Sequence, residues 1–137
     1  MGFILNVEGT TLGVETIKTV DFAVSTPNDT NAKTTDVAVT ATITGKILTM
    51  LDDGTEGTVD LAKWAMITSD KADCYKNVTI QSIAAGQVVR EYTMPTAFVV
   101  DYNENYDDVE GVGTFTLVVR QKKDKIGTIT VNGGYEA

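Results

Sequence analysis

Between Asp101 and Asp107 the chain runs Asp101-Tyr102-Asn103-Glu104-Asn105-Tyr106-Asp107, with oxygen-bearing side chains at alternate positions, as in a loop that wraps a calcium ion. The likeness stops there. An EF-hand loop needs Gly at its sixth position for the sharp turn and a bidentate Glu at its twelfth; counted from Asp101, those positions hold Tyr106 and Val112. Asp101, Glu104, Asp107, Asp108 and Glu110 crowd together here and would repel one another if buried. The stretch is therefore expected to be a solvated acidic loop joining two strands.

Other chemistry finds less to work with. The chain contains no histidine, so the commonest general base, the commonest metal ligand and the partner of a nucleophilic Ser or Cys are all missing. Cys74 is the single cysteine, which excludes an internal disulfide, a CxxC redox pair and a zinc finger, and leaves a small buried or half-buried thiol as the expected role. Ser25, Ser69 and Ser82 coexist with several lysines, but none lies in a G-x-S-x-G elbow. A carboxylate pair for glycoside hydrolysis would be defined by its separation in space, and a chain with 7% aromatic residues and short connections offers little to build a sugar cleft. No catalytic, cofactor-binding or metal-binding residue is nominated, no cofactor is expected, and the chain reads as a non-enzyme.

What remains is shape and surface. At 137 residues the chain suits one domain, residues 1–137, large enough to close a single core and too small for two. Two prolines and 12 glycines do not suggest disorder or collagen. Eleven basic residues against 19 acidic ones leave a net charge of −8, which repels phosphate backbones, so stable nucleic-acid binding is not expected. No run approaches the roughly 20 apolar residues of a membrane helix, so membrane insertion is not expected either. Met1-Gly2-Phe3-Ile4-Leu5-Asn6 lacks the positive charge and the apolar length of a Sec signal, which leads to the expectation of a product made in the cytoplasm.

The elements that would carry this surface are mostly strands. From Val37 to Ile47, Val39, Ala41 and Ile43 share one face with Val37, while Ala38, Thr40, Thr42, Thr44 and Lys46 take the other, the pattern of a half-buried strand. Val14 to Ser25 is also expected to be a strand, although Lys18 shares parity with Val20, Phe22 and Val24. The polar segment between them, Thr26 to Thr35, reads as an exposed loop. Asp52 to Gly57 is a second turn-rich cluster. After it, Leu61, Trp64 and Ala65 fall at i, i+3 and i+4, predicting a single helix over Asp60 to Ile67, with Asp60 placed to cap it and Trp64 to pin it to a sheet as a core aromatic.

From Asn77 onward a meander follows: Val78 to Gln81, a turn at Ala85-Gly86, Gln87 to Met94, an interruption at Pro95 that suits an edge or a bend, then Ala97 to Tyr102. Phe115, Leu117 and Val119 alternate with Thr114, Thr116, Val118 and Arg120, and a basic turn at Lys122-Lys123-Asp124-Lys125 leads to a last strand from Thr128 to Val131. The predicted fold is mainly β: a two-sheet β-barrel or sandwich of about seven to eight antiparallel strands with one short flanking α-helix.

The segments Lys76 to Thr79, Gln87 to Tyr92, Ala97 to Tyr102 and Gly113 to Lys122 resemble, in strand order and hydrophobic spacing, the tube proteins of phage tails and contractile injection systems, including the haemolysin-coregulated protein (Hcp) of type VI secretion. The resemblance covers roughly the C-terminal half, with weaker support from the early strands and Trp64. It implies a β-barrel-like pair of sheets with a flanking helix, six copies closing into a ring by sheet continuation, and rings stacking into a hollow tube beside sheath, baseplate or spike proteins. Such a product would be assembled into a virion or injection particle and exported with it. Open strand edges, a hazard in a monomer, would then serve assembly.

Candidate contacts between subunits or rings under this reading are Asn28, Asp29 and Lys33, Asp52 and Asp53, and the oppositely charged groups Asp107 and Asp108 against Arg120, Lys122 and Lys123. The five acids between Asp101 and Glu110 and the cluster Arg120, Lys122, Lys123 and Lys125 carry two readings: neutralisation within a subunit by adjacent strand ends, or a head-to-tail pairing between neighbours. An alternative function is a β-sandwich module that binds a small ligand or glycan in a concave site displaying Tyr102, Tyr106 and Tyr135.

Overall fold

The computed structural model describes residues 1–26, 37–47, 57–108 and 113–133. Eight antiparallel strands form one rolled sheet: β1 (Gly2–Val7), β2 (Thr10–Leu12), β3 (Ile17–Ser25), β4 (Ala38–Ile47), β5 (Lys76–Ala84), β6 (Gln87–Asn105), β7 (Gly113–Gln121) and β8 (Thr130–Gly133). Their order is β2-β1-β5-β6-β7-β4-β3, with β8 paired to β6. The sheet curls until β1 approaches β3, yet no ladder joins them among the described residues, so this mainly β barrel is open along one seam.

Period-two patterning explains the roll. On β4, Val39, Ala41, Ile43 and Ile47 are buried, and β7 answers in register with Phe115, Leu117 and Val119. Leu5, Val78, Ile80 and Met94 supply the facing layer from β1, β5 and β6, so both sides of the core are built from alternate positions of neighbouring strands. Phe22 of β3 stacks on Tyr92 of β6 at 4.0 Å, tying strands from opposite parts of the sheet across the interior. Gly45 is required where β4 crosses the turn before β3: a Cβ there would lie 2.5 Å from the Thr16 carbonyl oxygen and 2.6 Å from the Phe115 ring.

Several expectations are corrected. The strand expected from Val14 begins at Ile17, because 13–16 form a turn in which the Thr16 and Ile17 amides donate to the Gly13 carbonyl. The parity fault at Lys18 is a β-bulge: Ile17 pairs Gly45 and Thr19 pairs Thr44, so Lys18 is the extra residue and Val20 and Phe22 return to the core face. The helix, α1, spans Gly57–Ala65 rather than Asp60 to Ile67. Asp60 is therefore inside the first turn and not a cap; its Oδ2 accepts a hydrogen bond from Thr10 Oγ1 at 3.0 Å. Trp64 is buried, and its Nε1–H donates to the Cys74 carbonyl at 2.8 Å, fastening α1 to the short 3-10 turn Ala72–Cys74 that leads into β5.

Pro95 marks a bend but does not end its strand. The 19-residue β6 runs through it, paired along one margin first with β8 over Arg90–Thr93 and then with β7 from Ala97. Pro95 falls in the gap between those partners, and on the opposite margin the register shifts between Val78↔Met94 and Lys76↔Ala97, so no ladder bond is lost to its missing N–H. Buried Gln121 stitches this seam. Its Oε1 accepts from the Thr96 amide at 3.3 Å and its Nε2 donates to the Lys125 carbonyl at 3.3 Å. The basic turn is a 3-10 helix over Lys123–Thr128, which pushes the last strand to Thr130–Gly133.

Candidate functional site

The acidic segment is the largest departure from expectation. Asp101–Asn105 are not a loop; they complete β6 and pair with β7, from Asp101↔Val118 to Asn105↔Thr114. An extended strand holds side chains of one face roughly 6.6 Å apart, so the alternating oxygens of Asp101, Asn103 and Asn105 spread along a line and cannot converge on one cation. Only the tip remains as a connection, with Tyr106, Asp107 and Asp108 exposed; Glu110 lies outside the described residues.

The β6–β7 hairpin also separates the charges. Asp107 and Asp108 stand at its tip, whereas Arg120, paired opposite Phe98, and Lys122 stand at its base. Eight residues of strand, roughly 26 Å, lie between them, so Asp107 and Asp108 do not meet Arg120 and Lys122 within one subunit, whereas Asp101, paired opposite Val118, lies toward the base near Arg120. Lys122 Nζ lies 3.8 Å from Asp124 and 5.2 Å from the Tyr75 ring centroid, and Arg120 Nε donates to Thr40 Oγ1 at 3.4 Å. Lys123 opens the 3-10 helix. Asn28, Asp29, Lys33, Asp52 and Asp53 lie outside the described residues.

Four strand margins stay open among the described residues, the shortest of them the outer side of the three-residue β2. The outer side of β3 has no ladder partner, and exposure rises along it from buried Ile17 to exposed Ala23, Val24 and Ser25. Val24 sits on the core face beside buried Val39, yet is 55% exposed, because the opposite layer does not reach it. β8 is exposed throughout and pairs on one side. The distal half of β6 has lost its β5 partner beyond Ala97 and keeps β7 alone. Sequence reading passed over these margins because alternation marks a strand without saying which neighbours it has; the weak burial of β3, foreshadowed by its mixed parity, was the available signal.

Two clefts flank α1. One, about 310 Å³, is lined by Glu8, Asp60, Lys63, Trp64 and Lys76 among others. Its carboxylates serve the fold: Glu8 Oε1 accepts from the Asn77 amide at 3.1 Å and Asp60 binds Thr10. The second, about 210 Å³, lies between the end of α1 and the start of the distal half of β6. Ser25 ends β3, Ser69 follows α1 and Ser82 lies on β5, three separate places that form no constellation. The tyrosine site expected of a ligand-binding module does not assemble: Tyr102 turns inward and stacks on Phe115 with ring centroids 6.3 Å apart, at the opposite face from a solvent platform, and Tyr135 lies outside the described residues.

No protein-family model matches the sequence, and no curated protein matches it. Solved structures do match in shape. Hcp1 from Flavobacterium johnsoniae aligns over 100% of both chains with a TM-score of 0.60 at 16% identity. The chain has the Hcp1 fold. A protein in the sheath/tube terminator of the extracellular contractile injection system PVC aligns with a TM-score of 0.58 at 11% identity, over 96% of this chain and 94% of that one. Hcp1 from the E. coli EAEC 042 pathovar aligns with a TM-score of 0.55 at 10% identity, over 97% and 99%. The likeness to Hcp1 spans strands and helix alike, and so extends past the C-terminal half in which the sequence resemblance lay.

Proposed function

We propose that this chain is the repeating subunit of the hollow inner tube of a contractile injection machine, whether phage tail, tailocin or type VI-like apparatus. The observation that carries this reading is the Hcp1 fold across the whole chain, joined to long strand margins left open at β3 and distal β6. Copies meet along those margins, each supplying the ladder partners its neighbour lacks, and close into a ring, with six copies as the expected number. Rings then stack. The work of the protein is architectural rather than catalytic: a conduit whose wall is a continuous sheet.

In this reading the partners are further copies of the chain and the sheath, baseplate or spike proteins of the same machine, and the finished product belongs to an assembled particle. Asn28, Asp29, Lys33, Asp52 and Asp53, outside the described residues, remain the proposed contacts with an adjacent ring. No helix among the described residues is long and apolar enough to cross a membrane. Electron microscopy of the purified protein at high concentration tests the proposal: annular particles with an open centre, alone or stacked, support it, and a monodisperse monomer overturns it.

A further inference from the structure

The 210 Å³ cleft is a groove with an unusual rim for so acidic a chain. Trp64, Ile67, Tyr75, Phe98 and Val99 line it, with Tyr75 and Phe98 meeting edge to face at 6.0 Å. One cation stands over this aromatic wall: Lys122 lies above the Tyr75 ring while also meeting Asp124 at 3.8 Å. A second flanks it, since Arg120 is the register partner of Phe98 on the same outward face of the hairpin, although its Nε reaches away to Thr40 on β4. A half-open aromatic pocket edged by cations fits an acidic segment that carries one aromatic anchor.

The opposite end of the same hairpin is such a segment. Tyr106 is 63% exposed and is followed by exposed Asp107 and Asp108. Its ring stands over Gly113, where a Cβ would come within 2.6 Å of it, and its hydroxyl donates to Glu104 Oε1 at 3.1 Å. The ring is thus held in place at the tip rather than left to sweep freely. Roughly 26 Å of strand separates tip from groove within one chain, so the tip cannot fill its own groove.

We infer that the Tyr106-Asp107-Asp108 tip of one copy docks into the Trp64–Tyr75–Phe98 groove of the next, with Arg120 and Lys122 receiving its carboxylates. The two surfaces differ and lie at opposite ends, so the contact is heterologous and propagates head to tail. In a chain of net charge −8, copies repel one another at long range; matching the acidic tip to the basic rim supplies the local attraction that orients them. The inference deepens the tube reading by naming one contact between copies, and its test separates the two.

The direct experiment is a double variant, Ser69→Cys with Asp107→Cys, one thiol beside the groove and one at the tip. A disulfide requires Cα atoms within roughly 7 Å, which a single chain cannot offer to this pair. In a Cys74→Ala background, which removes the native thiol that also lines the groove, mild oxidation should produce a ladder of cross-linked multimers on a non-reducing gel, while either single variant stops at dimers. In parallel, Tyr106→Ala or Lys122→Glu should weaken self-association by about thirtyfold, the scale of an aromatic or charged hot spot, and Asp107→Lys with Asp108→Lys should bind Arg120→Glu with Lys122→Glu better than either binds itself. Annular particles without a ladder overturn the docking contact and leave the tube reading intact. A ladder without annular particles does the reverse, and the absence of both overturns both.

Discussion

β3 and β4 are neighbours in one sheet, paired residue for residue from Thr19↔Thr44 to Ser25↔Ala38, and both are rich in Val and Thr, yet they live in different environments. β4 is held on both margins and buries every second side chain, whereas β3 is held on one and exposes most of its length. Composition makes both of them strands. Position in the sheet order decides which one stabilises the subunit and which one is left to meet another molecule. The same division runs within β6: its proximal half is flanked by β5 and β8, and its distal half by β7 alone.

The contrast is easiest to break at its buried pole. Ile43→Ala on β4 removes a fully buried side chain between Leu117 and Val20 and should cost about 2–5 kcal/mol, read as a lower midpoint in urea unfolding. Next in size is Gln121→Leu, which preserves bulk but strips the seam of β6 of its bridge. The Thr96 amide and the Lys125 carbonyl lose their side-chain partner, and thermal unfolding should report a loss of about 1–3 kcal/mol.

Smaller effects sharpen the picture. Ala85 and Gly86 have φ of 53° and 75°, the two left-handed positions of a tight hairpin turn between β5 and β6. Ala85→Asn places a residue better suited to that region and should stabilise the subunit by about 0.5–1 kcal/mol, measured by the same unfolding curves. Val24→Lys, at the exposed end of β3, should leave subunit stability within about 0.5 kcal/mol while abolishing assembly, since a lysine on an open margin opposes pairing with another strand. Sedimentation of that variant beside the parent chain checks both halves of the expectation.

Much of this architecture was legible in the residues. The parity of Val39, Ala41 and Ile43 and of Phe115, Leu117 and Val119 identified both strands and their buried faces, because a two-residue period leaves little choice once one face is apolar. Trp64 was legible as the anchor of the helix. The start of that helix was not, since Asp60 suits a cap and a first turn equally well by residue type. Nor was the fate of Asp101–Asn105: a run of acids reads as a loop, but one face of a hairpin can stay in water and carry charges without cost, while Tyr102 turns its ring to the core from the same strand. The separation of Asp107 and Asp108 from Arg120 and Lys122 followed only from the pairing register, which proximity in sequence conceals. The groove was hidden for a related reason, as Tyr75 and Phe98 meet through folding and share no local pattern.

The central claim is that open strand margins of this protein are completed by further copies of itself. Hydrogen exchange read residue by residue at low and high protein concentration tests it most directly, because an amide on an unpaired margin exchanges freely and a laddered one does not. The account predicts that the alternate amides of Val20–Ser25 and of Phe98–Asn105 that face the open margin gain protection as concentration rises, while those already bonded to β4 or β7, and those of β4, paired on both sides, stay unchanged. Margins that exchange at the same rate throughout would contradict it.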